Sequence, residues 1–441
     1  MQLTIENRKR LWFAYFAALI CWSFSSYYLI TTWASEGTLF ARSLNGQPRV
    51  LDYLLFYEDE YLAINAKCQN IKIYDPDVQA AGIAKLMAPV VPTTKFYSHY
   101  PPLLFTLSIP FGFLPLLWSY VSWNLAGAIA LMLSILPFAY ARFGRTFPFF
   151  FIAVAVISCF PVWNCFELGQ SSFFLLGGIA LFFALAKRQK FFLAGLSTFL
   201  LMIKVQYLPV IVLIGLILGR VKFAGGALLA GLLAVGVSVM TLGWNNCIEW
   251  PKIVLHGETS DINRQLIAPA MMQNVRGILN QITGDDSSAV RLISAGLCIV
   301  TILLIGFLWT TPYKRLQSVT KYAFEAISAI SMMIMLLFSV HTHAHDYCVF
   351  VCSCVWLYVA LADMQEKTGV TPSVKYLRML LIGFPCFGWI LFVAEPLIQH
   401  VLKLQPMAIY LAAVLALSVR IWLLPSQPQS QNIPTPDVKP V

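Results

Sequence analysis

Long apolar runs alternate with short polar connectors along most of this chain, and the runs have the length of membrane crossings. The first extends from Leu11 to Trp33 behind the polar start MQLTIENRKR, which is enough helix to cross a hydrocarbon core of roughly 30 Å. A cleaved signal peptide has a shorter core and a small-residue cleavage site. Neither is evident, so an uncleaved first span with a cytoplasmic N-terminus is expected. Further apolar segments run from Trp118 to Tyr140, Phe147 to Trp163, Ser172 to Ala186, Phe191 to Ile203, Tyr207 to Leu218 and Phe223 to Leu242, then from Leu292 to Trp309, Ala323 to Val340, Tyr347 to Ala362, Tyr376 to Ala394 and Met407 to Leu424. The stretch Leu103 to Leu117 is also apolar, but Pro101 and Pro102 precede it and Pro110, Gly112 and Pro115 interrupt it. It reads as a helix lying at the membrane edge.

The basic residues test this count, because Lys and Arg accumulate in cytoplasmic connectors. Arg142 with Arg145, Lys187 to Lys190, Arg220 with Lys222, Lys314 with Arg315 and Lys321, and Lys367 with Lys375 and Arg378 all fall on one side if Leu103 to Leu117 does not cross. The prediction is an all-α polytopic membrane protein with about 12 transmembrane helices and both termini inside. Residues 1–424 form one integral membrane domain. Residues 34–117 make a large first extracytoplasmic loop with membrane-edge helices, and 243–290 make a second. The Pro-, Gln- and Ser-rich tail 425–441 is expected to be disordered and cytoplasmic.

Composition agrees. Hydrophobic residues make up 59% of the 441 and charged residues 11%, with a mean hydropathy of +0.73. A soluble domain carries roughly 25% charged residues. A soluble enzyme, a disordered protein and a nucleic-acid-binding protein are disfavoured, and the net charge of +10 reports orientation instead of an anionic partner. Most of the ten cysteines sit inside apolar runs, in neither a disulfide framework nor a zinc spacing.

Polar sequence collects on the outer side. The first outer loop holds Asp52, Glu58, Asp59, Glu60, Tyr74, Asp75, Tyr97, His99 and Tyr100. The second holds Asn274 and Arg276, and short outer turns carry Gly169–Gln170, Lys204, and the run His341, Thr342, His343, Ala344, His345, Asp346. This suggests chemistry at the membrane boundary, whereas a transporter more often places ionisable groups at mid-membrane and shows repeats. Each residue has two readings. Asp52 could cap an amphipathic surface helix or take a proton from a hydroxyl. Tyr74-Asp75-Pro76 reads as a turn, and Glu58 to Glu60 as a solvated face. Lys204 and Arg276 could snorkel to the interface or face a phosphate. His341 and His345, spaced four apart, would share one helical face and could hold a metal with Asp346, or bind phosphate or sugar hydroxyls.

Taken in order, several of these motifs resemble the polyprenol-phosphate-sugar-dependent glycosyltransferases of the GT-C superfamily, specifically glycosyltransferase family 87, which includes a mycobacterial mannosyltransferase. Asp52 ahead of Tyr57 and Tyr74-Asp75-Pro76, Tyr97-Ser98-His99-Tyr100-Pro101-Pro102, Gly169-Gln170, Lys204 with Pro209, and Gln273-Asn274 carry the resemblance. Where family members tend to have a tryptophan and a histidine pair, this chain has His343 and His345-Asp346, which makes His345 the carry-over. The resemblance implies a GT-C-like fold in the cytoplasmic (inner) membrane with its active site on the extracytoplasmic face. It also implies inverting transfer of a hexose, mannose in the first instance, from a polyprenyl-phosphate sugar to a glycolipid or glycan acceptor. Asp52 would be the general base, Lys204, Arg276 and His345 would bind the donor phosphate, and Tyr97, Tyr100, Gln170 and Asn274 would orient substrate. No cofactor is required and no metal ligand is assigned; a divalent metal is optional. The rival classes are a lipid-linked sugar flippase or transporter and a non-catalytic envelope-assembly protein.

Overall fold

The computed structural model describes residues 5–36, 41–42, 48–49, 52–57, 71–88, 98–144, 147–257, 269–284, 286–368 and 371–422. Tyr97, the acidic run Glu58 to Glu60 and the tail from 425 lie outside them. Apart from turns and short connectors the described chain is helical, with one two-stranded ladder in which Ala41–Arg42 pairs antiparallel with Pro48–Arg49. Helix is what an apolar chain must form in lipid, where each backbone N–H and C=O needs a partner within its own segment.

Five helical stretches are long and apolar enough, by length and composition, to cross a membrane: Leu116–Phe143, Val205–Leu242, Ser288–Leu308, Ala344–Glu366 and Pro372–Leu402. The protein is a multi-pass membrane protein. A 32-residue helix, Ile5–Glu36, covers the expected first span, and it exposes Phe13, Phe16, Ile20, Phe24, Tyr27 and Ile30. Burial separates inner helices from outer ones. The apolar window of Ala344–Glu366 is 89% buried, against 22% in Ser288–Leu308. Together with Ala323–Phe338, whose side chains are almost all buried, and Ser172–Lys187, Ala344–Glu366 forms the centre. Leu116–Phe143 and Ser288–Leu308 turn Leu125, Leu133, Leu292 and Leu303 outward, the surface expected to meet lipid.

Proline and basic residues set the breaks. The expected edge helix is Pro102–Gly112, only 11 residues or about 16 Å long, too short to cross. It lies against Leu208–Leu242, where Thr106 and Thr241 share a 2.8 Å hydroxyl contact. Phe147 to Trp163, expected as one run, divides at Cys159, which is extended (φ −67°, ψ 135°) and starts a second helix, Phe160–Leu168, with Pro161 in its first turn. The helix Leu208–Leu242 is interrupted at Arg220 (φ 45°, ψ −127°), at the basic turn expected between two spans. The bend lets the chain cross Phe191–Leu196 backbone to backbone. A Cβ on Gly226 would meet the Phe192 carbonyl oxygen, and one on Gly195 would meet that of Phe223, so neither position has room for a side chain.

The helix Ser172–Lys187 defines two ends. At its last residue, Lys187 pairs with Glu325; nearby lie Arg142 with Glu366, Lys321 with Asp363 and Arg378 with Gln365. At its first residue the expected site residues gather. There the segments 71–100 and 244–257 are stitched together: Asn246 accepts from the Ile73 amide and donates to the Ile71 carbonyl, and Trp250 donates to the His99 carbonyl at 2.9 Å.

Candidate functional site

The site is built on one glycine turn. Gly169 ends the helix Phe160–Leu168 in the left-handed region (φ 63°, ψ 38°), which glycine adopts without steric cost. A Cβ there would also lie 2.6 Å from Cβ of Tyr53. Tyr53 is fully buried, with its hydroxyl on Ser119 at 2.5 Å and its ring against Tyr120 and Trp123. Trp123 in turn donates to the Gly169 carbonyl at 2.8 Å. This packing seats the helical turn 52–57 on the glycine and brings Asp52 to Gln170.

Gln170 is buried, and its amide nitrogen donates to Asp52 Oδ2 at 2.5 Å and to the Tyr100 hydroxyl at 3.0 Å. Asp52 is partly exposed, and among the described residues its other oxygen makes no hydrogen bond. One carboxylate oxygen is thus anchored and one is open. Tyr100 is fixed through its carbonyl, which accepts from the Tyr74 hydroxyl at 2.9 Å. Burial, and after it the Asp52 charge, pushes the Tyr100 phenol well above its ordinary range, which keeps it a neutral hydrogen-bonding group. The surface-helix reading of Asp52 does not fit, since Tyr53, Leu54, Leu55 and Phe56 are all buried. Asp75 does match its turn reading: it caps Pro76–Met87 by accepting from the Asp77 and Val78 amides.

Two residues beyond Gln170, Ser172 opens the second half of the site. Lys204 leaves the helical path between Thr198–Leu201 and the 3₁₀ turn Val205–Tyr207 (φ −141°, ψ 79°), and its side chain points inward, 5% exposed. The ammonium donates to Ser172 Oγ at 2.8 Å and Asp346 Oδ1 at 2.6 Å. An ammonium carries three donors, so one remains. Asp346 is fully buried; its Oδ2 accepts from the His343 amide at 3.1 Å and lies 3.8 Å from His345 Nε2.

The expected shared helical face of His341 and His345 does not form, because helix begins only at Ala344 and His343 is extended (φ −106°, ψ 173°). The His343 ring sits between the other two, 4.5 Å from His341 and 5.7 Å from His345. Burial is the main cause that lowers both the His341 and His343 pKa, and the Lys204 charge adds to it. These imidazoles are neutral at pH 7. Among the described residues, no group of three or more His, Cys, Asp and Glu side chains is arranged to hold a metal ion.

Asn274 and Arg276 come to the same end but are engaged in structure. Asn274 caps the helix Val275–Thr283 by accepting from the Gly277 amide at 3.0 Å and donates to the Ser339 carbonyl at 2.8 Å. Arg276 forks onto Asp286 at 3.1 and 2.7 Å and donates to the Val340 carbonyl at 3.2 Å. Both pin the segment that leads into the histidines. Of the residues singled out from sequence, Asp52, Tyr100 and Gln170 form one contact group, and Lys204 and His345 meet across Asp346. Sequence reasoning offered Asp346 as a metal ligand and not as the partner of Lys204, and it named no role for Ser172 and Tyr53. Asp346 was visible as the only carboxylate in the histidine run, and Ser172 follows Gly169-Gln170 almost directly.

A family model, glycosyltransferase family 87, matches residues 98–340, more than half of the chain. The chain belongs to glycosyltransferase family 87. Comparison with curated proteins gives no match, and neither does comparison with solved structures. The matched residues include Tyr100, Gln170, Ser172, Lys204, Asn274 and Arg276, while Asp52 and Asp346 reach the site from outside the match. This family 87 protein is a membrane glycosyltransferase, with a sugar donor, an acceptor and the bilayer as its partners.

Proposed function

We propose that this family 87 protein transfers a hexose, mannose in the first instance, from a polyprenyl-phosphate sugar to a hydroxyl of a glycolipid or glycan. The reading includes about twelve crossings, and it places the basic connectors in the cytoplasm and the site on the extracytoplasmic face of the cytoplasmic membrane. The observation that carries it is the Gly169–Ser172 turn, which holds the anchored, half-open carboxylate of Asp52 on one side and the buried ammonium of Lys204 on the other.

Asp52 takes the proton of the acceptor hydroxyl through its open oxygen. The hydroxyl oxygen bonds to the anomeric carbon from the face opposite the phosphate. The bond from that carbon to the phosphate oxygen breaks, and polyprenyl phosphate leaves with the electron pair. The sugar inverts. Charge grows on the leaving phosphate, so cationic and N–H donors fixed beforehand stabilise the transition state. Lys204 supplies the nearest, with its remaining N–H, and His345 lies beside it; Tyr97, Tyr100 and Gln170 orient the sugar, while Asn274 and Arg276 act indirectly by holding the segment that leads into the histidines. Phosphate is already a good leaving group, so the step needs no general acid, cofactor or metal. The apolar edge helix Pro102–Gly112 offers a surface for the polyprenyl chain.

The test is transfer of radiolabelled mannose from polyprenyl-phosphate mannose to a membrane-lipid acceptor pool by purified wild type and Asp52→Asn. Transfer should fall at least a hundredfold in the variant while donor binding persists. Equal activity in both would remove Asp52 from the mechanism. Wild type that neither binds nor consumes this donor would overturn the donor reading.

A further inference from the structure

A second polar cluster lies at the same end of the molecule, where Gln273 meets residues beyond the family match. Glu395, two turns before the end of Pro372–Leu402, accepts at Oε1 from the amides of Gln273 and Gln399, both at 2.7 Å. The same two amides donate to Gln405 Oε1 at 3.0 and 2.8 Å, and Gln405 donates to the Ala270 carbonyl at 2.7 Å. Gln273 and Gln405 are buried, while Glu395 and Gln399 are partly exposed. Val393, Leu397 and Val401 take the outer face of the helix and leave Glu395 and Gln399 toward the protein.

A carboxylate at a membrane boundary is ordinarily paired with a cation. This one is held by carboxamides alone. Among the described residues, Glu395 Oε2 and Gln399 Oε1 make no hydrogen bond, and they lie one helical turn apart, where side chains are neighbours. Two open acceptor oxygens with no bonded cation repel a phosphate and suit a neutral ligand rich in hydroxyl donors. The cluster is one strand of chain away from the histidines: Gln273 donates its amide N–H to the Thr342 carbonyl at 2.8 Å, and Tyr347 donates to the Gln273 carbonyl at 2.5 Å.

We propose that Glu395 and Gln399 form a binding site for the hydroxyls of the acceptor sugar, separate from the donor-phosphate side at Lys204. This rests on the glycosyl-transfer reading above. The oxygens that hold the acceptor and the carboxylate that deprotonates it then flank the histidine segment.

The experiment compares wild type, Glu395→Gln and Gln399→Ala in mannose transfer from polyprenyl-phosphate mannose to a fractionated membrane-lipid acceptor pool, with donor Kd measured separately. The expected result is an acceptor KM raised at least tenfold in Glu395→Gln and severalfold in Gln399→Ala, with kcat within threefold and donor Kd unchanged. Acceptor KM within twofold of wild type in both variants overturns the proposal, as does a parallel loss of donor binding, which would mark the cluster as structural. If Glu395→Gln does not fold, Gln399→Ala decides alone. A wild type that ignores the donor overturns the underlying reading, and that failure shows before any variant is compared.

Discussion

The two ends of the helix Ser172–Lys187 each carry a lysine–carboxylate pair, and the pairs have little else in common. At the first residue, Lys204 and Asp346 are 5% and 0% exposed and share Ser172. At the last, Lys187 is 46% exposed and reaches Glu325, at 6%, from the surface. A pair with one half-exposed partner gains less, because water and salt already solvate its ammonium. A buried pair is a commitment: its desolvation cost rivals the attraction, and removing one partner strands the other. The basic end shows what such pairs look like where the ammonium stays in reach of water. The opposite end shows the same chemistry withdrawn from water and set beside an open carboxylate.

The comparison breaks most sharply at Lys204. Lys204→Ala leaves Asp346 buried and unpaired, and a loss of about 3–5 kcal/mol is expected, read as a large fall in folded yield and Tm with no transfer. Replacing both partners, Lys204→Met with Asp346→Leu, should recover most of the Tm and none of the activity. Recovered activity would make the pair a structural brace only.

A smaller effect comes from pH. His341 and His343 have folded pKa values below the ordinary histidine value, so the unfolded chain binds protons that the fold does not. Their contribution to stability is therefore complete above about pH 6.5 and is lost as pH falls below it. The expected slope is on the order of 1 kcal/mol per pH unit, visible as a Tm that drops between pH 7 and pH 5. His343→Asn should flatten it; an unchanged slope would place the titrating groups elsewhere. The smallest effect on transfer belongs to Lys187→Ala: it strands Glu325, 6% exposed, so Tm falls, but transfer should be unchanged. A large loss of transfer there would erase the contrast between the two ends.

Much of the architecture was legible in the sequence. Prolines marked the short edge helix Pro102–Gly112, and Arg220 with Lys222 marked the break inside Leu208–Leu242. The group Asp52, Tyr100 and Gln170 came from motif order. What stayed hidden depends on contacts between distant positions. Nothing near Lys204 in sequence announces Asp346, 142 positions away, and nothing near Arg276 predicted that it would fork onto Asp286. The network of Gln273, Glu395 and Gln405 is assembled from three separate elements with no periodic signature.

One dimension of the core has a consequence for the lipid. Ser172–Lys187 and Ala323–Phe338 have 16 residues each, about 24 Å of helix, whereas the hydrocarbon layer is roughly 30 Å deep. The outer helices are longer, 28 residues in Leu116–Phe143. Only Ala344–Glu366, with 23 residues, is long enough among the central helices, and the shortfall of the other two is met by tilt or by local thinning of the bilayer. Under the proposed function, a lipid-anchored donor would meet the Lys204–Asp346 end below the surrounding headgroup plane, and transfer would then depend on bilayer thickness.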